Sequence, residues 1–122
     1  MNSLQTSLPV FHDEAVIERG LSYPELVQLR CERPARTFGL EHKGRIEPGV
    51  DADIVLFDPE ETHTISAADN HSRADFSVYD GREVTGRVKQ TFVRGTPVAE
   101  DGRITADPGH GTVIHRKIPD WS

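Results

Sequence analysis

The sequence has little of several features that define common classes of protein. Its 122 residues include a single cysteine, Cys31, which excludes an internal disulfide and a cysteine-based metal site. We expect Cys31 to be a small, buried residue on a helix. No apolar run is long enough to span a bilayer, and no basic-then-apolar signal opens the chain. A cytoplasmic location is therefore the default expectation.

Positive charge is also scarce. Three lysines and eleven arginines stand against twenty Asp and Glu, so the formal net charge is −6. This balance argues against nucleic acid and anionic membranes as partners. The length allows one modest core and is about half that of the smallest ordinary (β/α)8 barrel, roughly 250 residues.

Motifs that build catalytic sites are missing as well. The six histidines stand singly, with no His-x-His pair, at His12, His42, His63, His71, His110 and His115. A zinc site needs three or four ligands that converge on one point. The sequence also has no Gly-x-Ser-x-Gly elbow and no glycine-rich phosphate loop, since Gly109-His110-Gly111 is too short. The sequence therefore predicts no catalytic, substrate-binding or metal-ligating residue and no cofactor in this chain.

The most informative stretch runs from residue 33 to residue 59. Pro34 opens a short helical turn that Gly39 ends, and Pro48-Gly49 predicts a tight turn. Ala52–Phe57 then predicts a strand whose two faces are both apolar and both covered, with Asp58-Pro59 as its end. The stretch marks a junction between a helical layer and a β layer.

Asp51 and Asp53 flank Ala52 in this stretch and resemble a pair of catalytic carboxylates. Aspartates at a turn-to-strand transition commonly accept hydrogen bonds from nearby backbone amides. We therefore expect both to be structural.

Two helices are predicted before this junction. Leucines and other apolar residues spaced three or four apart predict a helix over residues 3–19, with Ser7 as a possible cap and Gly20 as the exit. The Ser22-x-x-Glu25 capping box, with proline in the first turn, predicts a second helix that ends near Arg33.

After the junction the pattern predicts short strands and turns. Residues 67–82 read as a long surface loop held by the apolar anchors Phe76, Val78 and Tyr79. The predicted strands are Thr62–Ser66, Arg87–Arg94 with Val84 beginning it, Pro97–Glu100 and Arg103–Thr105, with turns at Gly95-Thr96 and Asp101-Gly102. The tail from Asp107 to Ser122 has no periodicity and predicts an extended arm.

The order of these residues resembles a known family. A Pro-Ala pair, Phe-Gly-Leu, Lys-Gly-x-Ile, Pro-Gly and Asp-Ala-Asp-Ile-Val-x-Phe-Asp-Pro follow one another, and Phe92-Val93-Arg94-Gly95 comes later. This order is similar to the C-terminal part of the hydantoinase and dihydropyrimidinase branch of the amidohydrolase superfamily. The resemblance covers nearly the whole chain.

The resemblance implies an α/β fragment. Residues 1–43 would be the last helical segment of a metal-dependent hydrolase (β/α)8 barrel, residues 44–105 the C-terminal strands of a small β-sandwich, and residues 106–122 a C-terminal arm. Intact members hydrolyse cyclic amide C–N bonds at a binuclear centre of zinc or a similar divalent metal. This chain lacks those ligands, and Asn2 falls at the wrong offset to match the substrate-contacting residue of the family.

The resemblance therefore predicts a structural, catalytically inactive portion of such an enzyme. Its expected partner is a complementary fragment that carries the barrel, or a second copy of itself. The alternative is an independent β-rich interaction module or a non-functional truncated gene product.

Overall fold

Two helices and one four-stranded sheet make up the regular part of the computed structural model, which describes residues 4–69 and 77–118. The helical segments are α1 (Ser7–Phe11), a π-helical segment (His12–Glu18), α2 (Tyr23–Val27), a second π-helical segment (Gln28–Glu32) and α3 (Arg33–Thr37). The strands are β1 (Ile54–Thr64), β2 (Glu83–Val93), β3 (Thr96–Glu100) and β4 (Arg103–Ile104). A 3-10 turn, Ala67–Asp69, follows β1.

The first helix covers residues 7–18, and its second half is π-helical. The predicted start at residue 3 is too early, and the cap is not Ser7. Thr6 lies at the cap position without a side-chain hydrogen bond to the helix, while Ser7 is already the first helical residue. Gly20, with φ of +74°, ends the helix as predicted because glycine adopts this left-handed conformation without steric cost.

The second helix covers residues 23–37 and begins as predicted. Ser22 Oγ accepts a hydrogen bond from the backbone N–H of Glu25 at 3.3 Å. The predicted end near Arg33 is wrong, because the π-helical segment passes directly into α3. Pro34 lies in the first turn of α3, directly after the π-helical segment. Cys31 lies on this helix but is exposed, which corrects the expectation of burial.

The sheet has the strand order β1-β2-β3-β4, and β3 pairs antiparallel with both of its neighbours. The turn between β2 and β3 is Arg94-Gly95, one residue earlier than predicted, and the turn between β3 and β4 is Asp101-Gly102, as predicted. Both residues of each turn have positive φ, the backbone signature of the two-residue turns that match the twist of a hairpin.

Strand β1 does not end at Asp58-Pro59 as predicted. It continues to Thr64, so the predicted separate strand Thr62–Ser66 is largely the end of β1. Asp58 Oδ1 accepts hydrogen bonds from the backbone N–H groups of Glu60 at 3.0 Å and Glu61 at 3.3 Å, and so bonds the backbone locally. Proline is tolerated here because β1 lies at the edge of the sheet.

The prediction that both faces of this strand are covered is also wrong. Val55 and Leu56 are 45% and 48% exposed. An antiparallel sheet can leave a face open to solvent, and apolar residues on both faces of a strand cannot by themselves reveal whether covering layers are present.

The chain divides into two units, one made of Met1–Leu21 with Leu56–Lys89 and the other of Ser22–Val55 with Gln90–Ser122. The first unit buries His12, Ile65 and Val84, and the second buries Ala35. The boundaries expected at residues 43 and 105 stay predictions.

Of the predicted loop anchors, Val78 is 67% exposed and is not an anchor, Tyr79 is half-buried, and Phe76 lies outside the described residues.

Among residues 4–69 and 77–118, no helix combines the length and apolar character needed to cross a membrane.

Candidate functional site

The most buried polar group of the first unit is His12, which is fully buried at the start of the π-helical segment. Its Nδ1 lies 2.7 Å from the carbonyl oxygen of Thr85 on β2. Because a carbonyl oxygen only accepts, Nδ1 carries the proton of this hydrogen bond. The ring also packs edge-on against Phe57 of β1, with 4.8 Å between ring centroids.

The next residue, Asp13, binds the other backbone group of Thr85. Its Oδ1 accepts from the Thr85 N–H at 3.0 Å, and its Oδ2 accepts from Nη2 of Arg82 at 3.1 Å. Arg82 Nη2 also donates to Glu14 at 2.5 Å. The hydrogen bonds to Glu14 and Asp13 raise the pKa of the Arg82 guanidinium above its ordinary value. Two consecutive helix residues thus satisfy both backbone groups of one strand residue.

Gly86 allows this approach. Its φ is +113°, and a Cβ at this position would come within 2.5 Å of both His12 Nδ1 and Phe57 Cζ. Any larger residue would displace the imidazole. We call His12, Asp13, Arg82, Thr85 and Gly86 the polar clamp. Sequence reasoning missed it, because about 70 residues separate its two halves.

In the second unit, Asp51 and Asp53 converge on Lys43. The Lys43 ammonium lies 2.9 Å from Asp51 Oδ2 and also donates to Asp53 Oδ2. Asp53 Oδ1 accepts from the backbone N–H of Arg94 at 2.9 Å, which holds the β2–β3 turn. Asp53 was expected to bind nearby backbone amides, and the amide that its Oδ1 binds is instead 41 residues away.

This arrangement favours the charged forms of Lys43 and Asp53. The hydrogen bond to Asp53 raises the pKa of Lys43. Burial raises the pKa of Asp53, but the hydrogen bonds from Lys43 and from the Arg94 N–H outweigh burial, so the pKa lies below its ordinary value. A carboxylate held ionised in this way, as Asp53 is, suits an ion pair rather than a proton-transfer step.

A cleft of about 420 Å³ lies beside α3 and the C-terminal segment. Its four basic side chains already have carboxylate partners at 2.6–3.0 Å, in the pairs Arg36–Glu32, Lys43–Asp51, Arg45–Glu47 and Lys117–Glu41. A ligand anion would have to displace one of these carboxylates. The cleft is therefore a surface whose basic side chains are already paired, rather than a pocket suited to an anionic substrate.

Comparison with known proteins identifies the family. The sequence model described as the amidohydrolase family matches residues 10–99, which is well over half of the chain. The chain belongs to the amidohydrolase family.

Similar members of the family include hydantoinases and allantoinases. The chain is 39% identical over 117 residues to the D-hydantoinase of Streptomyces coelicolor, covering 95% of this chain and 25% of the relative. It is 41% identical over 108 residues to the allantoinase of Rubrobacter xylanophilus, covering 88% and 24%. The amidohydrolase-family chain thus spans about a quarter of the length of these relatives.

Solved structures give the same result. The D-hydantoinase of a Bacillus species matches with a TM-score of 0.87 and 32% identity, covering 93% of this chain and 25% of that one. The dihydropyrimidinase of Brevibacillus agri matches with a TM-score of 0.88 and 30% identity, covering 94% and 25%.

The residues described in this amidohydrolase-family chain do not fit a metal centre. Over residues 4–69 and 77–118, no group of three or more His, Cys, Asp or Glu side chains is placed to hold a metal ion. His12 Nδ1 and His110 Nε2 are each engaged with a backbone carbonyl, of Thr85 and of Val93. His71 and Asn2 lie outside the described residues.

Proposed function

We propose that this chain serves as the C-terminal portion of a hydantoinase-like cyclic amidohydrolase and contributes structure rather than catalytic groups. The observation that carries the proposal is the match to D-hydantoinase over 95% of this chain but only 25% of the relative. Similarity along the whole of the shorter chain and a quarter of the longer one is what a portion of that enzyme gives.

In this proposal the two helices are the last helical layer of a (β/α)8 barrel, and the four strands belong to a small β-sandwich. The polar clamp holds the first helix to β2, because both backbone groups of Thr85 are satisfied by residues of that helix. A fixed helix would keep the preceding barrel loop in place. The metal centre and the proton-transfer groups would lie in the remaining three quarters of the enzyme.

The intact assembly would hydrolyse an amide C–N bond of a cyclic diamide of the hydantoin class. Similarity to both hydantoinases and allantoinases supports this class and leaves the choice of substrate open. The part of the enzyme outside this chain would determine the choice between hydantoin and allantoin.

A fusion protein tests the proposal. In the Streptomyces coelicolor D-hydantoinase, the matched quarter is replaced by this chain, and hydrolysis of hydantoin and of allantoin is measured. The control is the same D-hydantoinase with the matched quarter deleted. We expect activity from the fusion and none from the deletion.

Metal content tests separately whether this chain is the C-terminal portion of the enzyme and whether it lacks the metal-binding groups. After dialysis, the fusion should retain bound metal and this chain alone should retain none in stoichiometric amount. An inactive fusion, or about one tightly bound ion per copy of this chain alone, would contradict the proposal. The alternative, an independent interaction module, would be favoured by an inactive fusion if the chain alone is a monomer that unfolds cooperatively and binds no hydrophobic dye.

A further inference from the structure

The chain contains the tripeptide Asp-Gly-Arg twice, at residues 80–82 and at residues 101–103. An aspartate that precedes glycine can react with the backbone, because glycine has no side chain to keep its nitrogen away from the aspartate carboxyl carbon. The reacting residues and the residue after them are the same in both places. A large difference in reactivity between the two sites would therefore come from the fold.

The reaction is a condensation followed by a hydrolysis. The glycine nitrogen attacks Cγ of the aspartate, so that an N–Cγ bond forms, the Cγ–O bond breaks, and the hydroxyl group leaves as water with the amide proton. Water then opens the succinimide ring at one of its two carbonyl carbons. Attack at Cγ restores aspartate, whereas attack at the backbone carbonyl carbon gives isoaspartate, in which the chain runs through Cβ and Cγ. Water is the only other reactant.

At Asp80-Gly81 the fold holds both of the reacting groups. Asp80 Oδ1 accepts a hydrogen bond from the backbone N–H of Ala67 at 2.8 Å, and the Gly81 N–H donates to the carbonyl oxygen of Ile65 at 2.8 Å. The Ile65 N–H donates in turn to the carbonyl oxygen of Arg82 at 2.9 Å. The nucleophilic nitrogen and the carboxyl group are thus both engaged, and the reaction requires both hydrogen bonds to open.

Asp101-Gly102 lies in a different setting, at the tip of the turn between β3 and β4. Strand β4 is two residues long and lies at the edge of the sheet beside β3. Asp101 has φ of +49°, a left-handed conformation that is unfavourable for a residue with a Cβ. A short terminal pairing and an unfavourable backbone conformation both favour local opening of this turn.

We propose that Asp101 is a site of spontaneous isoaspartate formation in the folded chain and that Asp80, in the same tripeptide, is protected. Exposure to solvent does not separate the two sites, since both Asp-Gly pairs are exposed. The hydrogen bonds at Asp80-Gly81 and the short pairing of β4 do. The product adds one carbon atom to the backbone between β3 and β4, which no longer fits a two-residue turn, so the pairing of β4 should weaken.

Isotope labelling measures both sites in one sample. The folded chain is incubated in water enriched in the heavy oxygen isotope, so each hydrolysis of a succinimide places one heavy oxygen atom in the residue, whichever product forms. Digestion with trypsin in ordinary water then gives one peptide for each site, because each tripeptide ends in arginine. Mass spectrometry gives the label, and chromatography separates isoaspartyl from aspartyl peptides. We expect labelling of Asp101 to be about tenfold faster or more, since two hydrogen bonds must open at Asp80-Gly81.

Two controls assign the difference to the fold. In guanidinium chloride the two rates should become similar, because the unfolded chain no longer distinguishes the two tripeptides. Ala67→Pro removes the N–H that binds Asp80 Oδ1, at the first residue of a 3-10 turn, where proline fits. We expect this substitution to raise the rate at Asp80 and to leave the rate at Asp101 unchanged. The comparison within the wild-type chain does not depend on this variant.

Three results would overturn the proposal. Equal rates at the two sites in the folded chain, or a faster rate at Asp80, would show that these hydrogen bonds do not protect. Absence of label at Asp101, over a time in which the unfolded chain is labelled at both sites, would show that the hairpin turn protects it. An unchanged rate at Asp80 in a folded Ala67→Pro variant would contradict the protection assigned to the Ala67 N–H.

Discussion

The imidazole of His12 donates a hydrogen bond of 2.7 Å to the backbone carbonyl of Thr85, although 73 residues separate them in sequence. The histidine is fully buried. A buried carbonyl without a partner loses its hydration and gains nothing in return. This hydrogen bond therefore ties the position of the first helix to that of β2 within the same unit.

The first prediction concerns this hydrogen bond. His12→Leu keeps a side chain of similar bulk against Phe57 but leaves the Thr85 carbonyl without its donor. We expect the free energy of unfolding to fall by about 1–3 kcal/mol. Urea denaturation measures it, with His42→Leu as a control at an exposed histidine. Equal effects of the two substitutions would mean that the hydrogen bond contributes nothing.

The second prediction concerns Gly86. Gly86→Ala adds a methyl group within 2.5 Å of His12 Nδ1 and Phe57 Cζ, at a residue with φ of +113°. Gly81→Ala is the matched control, since its φ is +83° and nothing lies within 4 Å of the added Cβ. We expect about 1–2 kcal/mol of destabilisation from the backbone alone at Gly81. At Gly86 a further 1–3 kcal/mol should come from overpacking. Similar losses at both glycines would show that the clamp tolerates the methyl group.

The third prediction compares two apolar residues of the sheet in the first unit. Leu56 is 48% exposed and Val84 is 1% exposed. In the chain alone, Leu56→Ala should therefore cost less than about 1 kcal/mol, whereas Val84→Ala should cost roughly 2–3 kcal/mol. Thermal and urea denaturation of both variants give the comparison. A loss of 2–5 kcal/mol at Leu56 would mean that its strand is covered on both faces after all.

The fourth prediction is a pH dependence. His63 lies on β1, and its buried Nδ1 has no hydrogen-bond partner among the described residues. Burial lowers its pKa, the charge of Arg87 lowers it further, and Glu61 opposes both. Because the folded-state pKa lies below the unfolded value of about 6.5, the unfolded chain binds the proton more readily.

This difference in pKa gives the direction in which the free energy of unfolding changes with pH. The contribution of His63 to stability is present above about pH 6.5 and is lost as the pH falls through the folded-state pKa. We expect His63→Phe to flatten the decline in the free energy of unfolding over this range, while His115→Phe, at an exposed position, leaves it unchanged. A decline of equal steepness in the wild type and in His63→Phe would assign it to other groups.

Local chemistry in the sequence determined several elements without any help from tertiary structure. Ser22 caps the second helix because its hydroxyl oxygen reaches the Glu25 N–H three residues away. Gly20 and Gly39 end helices, and Asp101-Gly102 turns a hairpin, because each needs a backbone conformation that few residues adopt. The order of such motifs also indicated the family that the comparisons show. All of these signals lie within a few residues of one another.

Tertiary structure alone decided which residues are buried and what the charged ones bind. Apolar residues on both sides of the strand at residues 54–57 predicted two covered faces, yet Leu56 is half exposed, because coverage depends on layers that the strand itself does not encode. Asp53 was expected to bind nearby amides, and it binds that of Arg94, 41 residues away. The polar clamp gave no sequence signal, because a hydrogen bond between a helix and a distant strand depends on how the chain folds back on itself, and a single sequence records no such distance.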